Sequence, residues 1–213
     1  MLDAEFAAFL RKYVGLQLQA VAPSLSGVSD IDETCLRVAI ERTNHCTSRI
    51  KGFEGPRFNH LNSGQYATFL YYLAHQLGAS ADKTDAARVF LLNKALNGID
   101  LYYEVQMPDV FLIGHTVGMV FAKAAYGSGC IFHQGCTVGR NQNDRPLLGP
   151  GIIMYPHSSI IGRCHVRENT VLSPGVQLIN TDTPGDCLVF PGEAGRPVFK
   201  PISEYYADRY LKR

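Results

Sequence analysis

From Leu148 to Leu178 every sixth residue is aliphatic: Leu148, Met154, Ile160, Val166, Leu172 and Leu178. Four places after each step stand small or β-branched residues, Ile152, Ser158, Cys164, Thr170 and Val176. Glycine, proline and asparagine punctuate the intervals, as at Gly151, Pro156, Gly162, Asn169 and Gly175. A period of six is neither the 3.6 of a helix nor the 2.0 of a lone strand. It is the period of a parallel β-helix, in which three short units close one triangular coil. The large aliphatic fills the inside of a corner, the small residue suits the narrow interior, and glycine and polar residues serve the turns.

The count continues upstream. Cys130 and Cys136 lie on it, and stepping back from Ala125 reaches Met119, Ile113, Met107 and Leu101. The step from Ala125 to Cys130 is one residue short. The pattern predicts one continuous β-helix over about 101–182. An antiparallel β-domain with chance spacing would not sustain two registers at once.

Before it, the spacing is helical. Phe6, Phe9, Leu10, Tyr13, Val14 and Leu16 make an apolar stripe that ends at Pro23. Polar residues from Ser29 to Glu33 can cap a second helix with Leu36, Ala39 and Ile40 as its face. Asn62 or Ser63 can cap a third, with Tyr66, Phe69, Leu70 and Leu73 inward and Gly78 at its end. A fourth is expected from about Asp82 to Leu96. After Pro184, with Pro191, Pro197 and Pro201, the chain should leave the solenoid and strap along it, and Ser203 to Arg213 can form a short last helix. The expected organisation is α+β: a helical N-terminal domain over 1–98, a β-helix over 99–190 and a C-terminal extension over 191–213.

Composition narrows the partners. The net charge of +1 and the scattered Lys and Arg residues give no reason to expect nucleic acid. The longest apolar stretch, Val110 to Tyr126, is interrupted by His115 and Lys123 and is too short and polar to span a bilayer. No secretory signal pattern opens the chain, and the six cysteines contain no Cys-x-x-Cys pair. Reduced thiols in the cytoplasm are the expectation, with Cys130, Cys136 and Cys164 as interior fillers and no metal site.

The chemistry-bearing residues cluster early in the β-helix. Asp100-Leu101, the run from Gly114-His115 to Gly118, and the run from Gln134 to Gly139 resemble the core of the serine acetyltransferases. The resemblance covers roughly 62–190. It implies a helical domain followed by a left-handed parallel β-helix, acetyl-CoA as acetyl donor, and a hydroxyl acceptor. His115 stands at that family's general-base position, and Asp100, fifteen residues earlier, at the position of the carboxylate that orients it. A neutral imidazole can take the proton of a hydroxyl as it attacks a thioester, and a carboxylate on the far ring nitrogen steadies the resulting imidazolium. Gly139 is expected to line the acetyl-CoA path, and His133 to line the cleft.

Two departures alter the acceptor pocket. Gly114 stands where the family's serine enzymes carry Asp, which helps hold the amino acid. The segment Asp144-Arg145-Pro146 lacks the family's His, leaving Arg145 for an acceptor carboxylate. With room beside Gly114 for a wider ring, the expected acceptor is a sugar or surface-polysaccharide unit, with serine as the alternative. His157 and His165 read as turn residues. A γ-class carbonic anhydrase would need a closely spaced His pair for zinc, which is missing, and a passive scaffold would not need Asp100 with His115. Flat prism walls suggest a homotrimer with the active site between subunits; a dimer of trimers through the N-terminal helices is a further expectation.

Overall fold

The computed structural model of the protein describes residues 4–24, 31–79 and 83–212. Helices come first: α1 (Ala4–Val21), α2 (Glu33–Ser48), α3 (Ser63–Leu77) and α4 (Thr84–Asn97). Asp32 caps α2, its Oδ1 accepting from the Cys35 N–H at 2.8 Å; the predicted caps Ser29 and Asp30, and the predicted α4 start Asp82, lie outside the described residues. Asn62 caps α3 through the Gln65 N–H at 3.1 Å. α4 stops at Gly98, whose φ of 64° is the left-handed turn that glycine adopts without strain.

Two helices differ from their expected stripes. α1 buries Phe6, Leu10, Val14 and Leu18, four residues apart, and leaves Phe9 and Leu16 exposed. A strict i+4 row makes a single narrow line of contact, so the neighbouring apolar residues fall outside it. α3 is buried on every side from Gly64 to Ala74, because α2 and α4 flank it and the first β-helix coil closes over it. The Tyr71 hydroxyl donates to the Val105 carbonyl at 2.7 Å, and the Tyr72 ring meets Phe111 edge-on at 6.0 Å.

The β-helix begins at β1 (Ile99–Leu101) and continues through β2 (Phe111–Ile113), β3 (Met119–Phe121), β4 (Ala125–Tyr126), β5 (Cys130–Phe132) and β6 (Thr137–Gly139). Next come β7 (Leu147–Leu148), β8 (Ile153–Met154), β9 (Ser159–Ile161), β10 (His165–Val166), β11 (Thr170–Leu172) and β12 (Gln177–Ile179). The walls are three parallel sheets, in order β1-β3-β6-β9-β12, β4-β7-β10 and β2-β5-β8-β11. The predicted period is therefore a stacking rule. Leu101, Phe121, Val138, Ile160 and Leu178 align down one interior corner. Ile113, Phe132, Met154 and Leu172 align down the second, and Tyr126, Leu148 and Val166 down the third.

The count through Ala125 needs correction. Ala125 faces out, and Tyr126 takes the inward place, its ring edge-on to Phe132 at 6.2 Å. The missing residue falls between Phe121 and Tyr126. The preceding step, Ile113 to Phe121, is longer than six, because the turn at 114–118 carries extra residues. The loop at 140–146 adds another offset. It moves Cys130 and Cys136 onto the small-residue register beside Ile152 and Ser158, where both remain buried.

The chain does not leave the solenoid after Pro184 as expected, because residues 187–189 still pair in parallel with β11; the strap begins after Pro191. β13 (Cys187–Pro191) extends the third wall beside β11, and β14 (Pro197–Pro201) folds back antiparallel on it. A 3-10 helix, Tyr206–Arg209, follows. The chain then reaches the helical end, where Lys51 N–H donates to the Tyr210 carbonyl at 2.7 Å and Lys212 N–H to the Arg49 carbonyl at 2.8 Å.

Candidate functional site

His115 lies in the 114–118 turn, at the corner between the wall holding β2 and the wall holding β3. This is where the coil takes its longer step, and the extra residues let the turn stand away from the prism. Gly118, at φ 78°, donates its N–H to the Gly98 carbonyl at 2.9 Å, which seats the turn against the start of β1. His115 is exposed, and among the described residues its ring makes no hydrogen bond or ion pair.

Asp100 points outward from β1, paired in register with Val120. Its Oδ2 accepts from Lys94 Nζ at 2.6 Å. Asp100 and His115 thus belong to neighbouring coils at one edge of the same wall, but no hydrogen bond joins them. Lys94 was not singled out by sequence reasoning, although its place in the last turn of α4, six residues before Asp100, was a signal for such a pair.

Gly114 donates its N–H to the Phe132 carbonyl at 2.8 Å, continuing the β2–β5 ladder. Its place is tight. A Cβ there would lie 3.2 Å from His133 Nδ1 and 3.2 Å from the Phe132 carbonyl oxygen. The room expected beside Gly114 is therefore occupied by the imidazole of the next coil. That ring stacks on Tyr155 (centroids 5.1 Å, planes 13° apart) and meets Tyr210 edge-on at 5.9 Å. The Tyr155 and Tyr210 hydroxyls are 3.2 Å apart. Among the described residues, His133 Nε2 is buried with no hydrogen-bond partner. Burial, and next the positive charge His115 can carry, hold the His133 pKa below its ordinary value, which keeps the ring neutral near pH 7. Tyr155 follows Met154 as His133 follows Phe132, so coil stacking could have disclosed it. Tyr210 arrives from the strap, and no local pattern announces it.

Arg145 is exposed in the 140–146 loop, where Asn141 and Asp144 exchange backbone hydrogen bonds of 3.1 and 2.9 Å. His115 precedes β3 and Arg145 follows β6, so the two stand at opposite edges of the five-stranded wall. Within one chain they do not meet. Gly139, ending β6, has no left-handed φ, and a Cβ there would make only ordinary contact, at 3.5 Å, with Ile161. Packing does not demand glycine there. His157 and His165 are exposed. Among the described residues no group of His, Cys, Asp and Glu is placed to hold a metal ion, and no helix is long and apolar enough to cross a membrane.

No family model matches the chain. A Schizosaccharomyces pombe protein named "Putative serine acetyltransferase" is 26% identical over 148 residues, 67% of this chain. The chain spans about half the length of that relative, 54%. The serine acetyltransferase of Neisseria gonorrhoeae superposes with a TM-score of 0.70 at 18% identity, over 94% of this chain and 83% of its own. The fold is that of the serine acetyltransferases. The soybean serine acetyltransferase complexed with serine superposes at 0.66 with 18% identity, over 89% and 84% of the two chains. The Brucella abortus serine acetyltransferase in complex with coenzyme A does so at 0.66 with 16% identity, over 93% and 90%. The helical cap and the β-helix that follows it are both part of this serine acetyltransferase-like architecture.

Proposed function

We propose that the chain is an acetyl-CoA-dependent O-acetyltransferase, with L-serine as its acceptor. The observation that carries the reading is the His115 turn: an exposed imidazole with no hydrogen-bond partner among the described residues, on a lengthened corner of a serine acetyltransferase fold, preceding the strand that pairs with the one holding Asp100. In this reading His115 takes the proton of the acceptor hydroxyl as its oxygen attacks the thioester carbonyl. The carbon–sulfur bond then breaks, and the departing thiolate recovers a proton from the imidazolium. Asp100 orients the ring, exchanging or sharing its Lys94 contact. In this reading the acetyl-CoA arm runs past Gly139 on the outer face of β6.

Serine is favoured over the carbohydrate first expected. The similar proteins are serine acetyltransferases, and the carbohydrate reading leaned on space beside Gly114 that His133 occupies. Arg145 supports a carboxylate-bearing acceptor, and its distance from His115 within one chain supports a site shared between copies. A homotrimer packed on the flat walls would bring the 140–146 loop of one copy toward the His115 turn of another. A cytoplasmic setting agrees with six cysteines that form no disulfide.

The test is thiol release from acetyl-CoA by the purified protein, with L-serine and with nucleotide sugars as acceptors. Turnover with serine is expected. No turnover with serine, or turnover only with a sugar, overturns the assignment. Sedimentation showing a fully active monomer overturns the shared site.

A further inference from the structure

Lys94 ties the last turn of α4 to the start of the β-helix by two routes. Along the backbone, the Gly98 N–H donates to the Lys94 carbonyl at 3.0 Å, and the Gly98 carbonyl accepts from the Gly118 N–H, in the His115 turn, at 2.9 Å. Through the side chain, Lys94 Nζ donates to Asp100 Oδ2 at 2.6 Å, on β1, whose partner β3 follows that turn. The ammonium also lies 5.9 Å from the centre of the Phe90 ring, within cation–π reach, so it has two anchors.

Stability is not what the pair supplies. The two side chains are 50% and 34% exposed, and an ion pair so open to water contributes little to folding. Orientation is what it supplies. An ionised carboxylate offers two accepting oxygens. Lys94 takes Oδ2; among the described residues Oδ1 has no hydrogen-bond partner, and neither has the His115 ring. With one oxygen held, the carboxylate no longer swings freely about its terminal bond, and the other oxygen keeps one direction.

We propose that Lys94 is a positioning residue for the transfer step: its ammonium holds Oδ2 of Asp100 so that Oδ1 is the oxygen that accepts the His115 N–H. The inference rests on the O-acetyltransferase reading, with His115 as base and Asp100 as the group that orients it, and adds a third member supplied by the helical domain. A carboxylate fixed in advance spares the base the search for its partner in every turnover. Lys94 touches neither substrate in this arrangement, so its loss falls on kcat rather than on KM.

Lys94→Met keeps an apolar stem against Phe90 and removes the ammonium; Lys94→Leu gives the same comparison if the methionine variant does not fold. Lys94→Arg returns a cation that can donate to the same oxygen. With acetyl-CoA and L-serine, kcat in the variant without a cation should fall about 5- to 50-fold, a fraction of the base's own worth of about 10²–10⁴. KM for either substrate should change less than about threefold, and Tm by less than about 3 °C. Lys94→Arg should recover most of kcat. In an Asp100→Asn background, Lys94→Met should change kcat less than about twofold, because the carboxylate through which Lys94 acts is gone. An unchanged kcat, a KM loss as large as the kcat loss, or the same kcat loss in both backgrounds overturns the proposal while the serine reading stands. If Asp100→Asn alone leaves kcat unchanged, the proposal falls together with the role of Asp100. A wild-type protein that does not acetylate serine overturns the serine reading as well.

Discussion

Gly114→Ala isolates the clamp around His133 from any question of activity. The backbone of Gly114 is not in the left-handed region, so alanine meets no conformational penalty. The cost is contact alone: the new methyl would lie 3.2 Å from His133 Nδ1 and 3.2 Å from the Phe132 oxygen. Neither neighbour yields freely. The Phe132 oxygen is held by the Gly114 N–H itself at 2.8 Å, and the imidazole is pressed on Tyr155. A shift of a few tenths of an ångström in a packed setting costs about 1–2 kcal/mol, the lower part of the overpacking range. For a chain of this size that lowers Tm by about 2–8 °C. The assay is a thermal melt of four proteins: wild type, Gly114→Ala, His133→Ala and the double variant. With the ring gone, one of the two close contacts remains, and the alanine at 114 should cost about half of what it costs alone. If Gly114→Ala costs the same with and without the imidazole, the clamp is not what makes position 114 tight.

His115→Ala should lower thiol release from acetyl-CoA about 10²–10⁴-fold with the melt unchanged, and Asp100→Asn should cost less; wild-type turnover in His115→Ala would refute the base assignment. Folding stability should fall with acid below about pH 6.5, in part through His133. Its folded pKa lies below its ordinary 6.5, so the unfolded chain binds the proton first and stability rises with pH through that window. Denaturant titrations should show a shallower acid slope in His133→Phe, and an identical slope would refute this. Phe132→Ala removes a fully buried ring at the centre of the second interior corner and should cost about 3–5 kcal/mol in the same titrations.

The repeat was legible because its physics is local. Each interior place of the prism admits one size of side chain, so Leu148 to Leu178 spells out its own stacking. The count failed where turns changed length, at 114–118, between Phe121 and Tyr126, and at 140–146. A period carries no information about residues that leave the repeat, and two of those three irregular segments hold His115 and Arg145. The helix boundaries were legible from caps such as Asp32, Asn62 and Gly98. The stripe of α1 was not, because Phe9 and Leu16 sit next to buried positions and only the packing of α1 separates them. At the candidate site, motif and spacing single out His115, Asp100 and His133 as expectations. The Lys94 pair, the Tyr155 stack and the Tyr210 edge depend on which segments the fold lays side by side, and Gly114 looked roomy only while its neighbour in the next coil was unknown.

A solenoid ordinarily unfolds coil by coil, since each repeat touches only its neighbours and an end can peel away alone. The strap changes that. Lys51 Nζ reaches the carbonyl of Asp208, 157 positions along the chain, and Leu211 pairs with Ile50. Tyr205 lies over Gly151 on the way, and Tyr210 over His133. Peeling the last coil therefore pulls on a segment that is also fastened to α2 and to the middle of the stack. The helical end and the final coil become one cooperative unit. Denaturation followed at the helices and at the β-helix should then give coincident transitions, where an unstrapped stack of this length would lose its far end first.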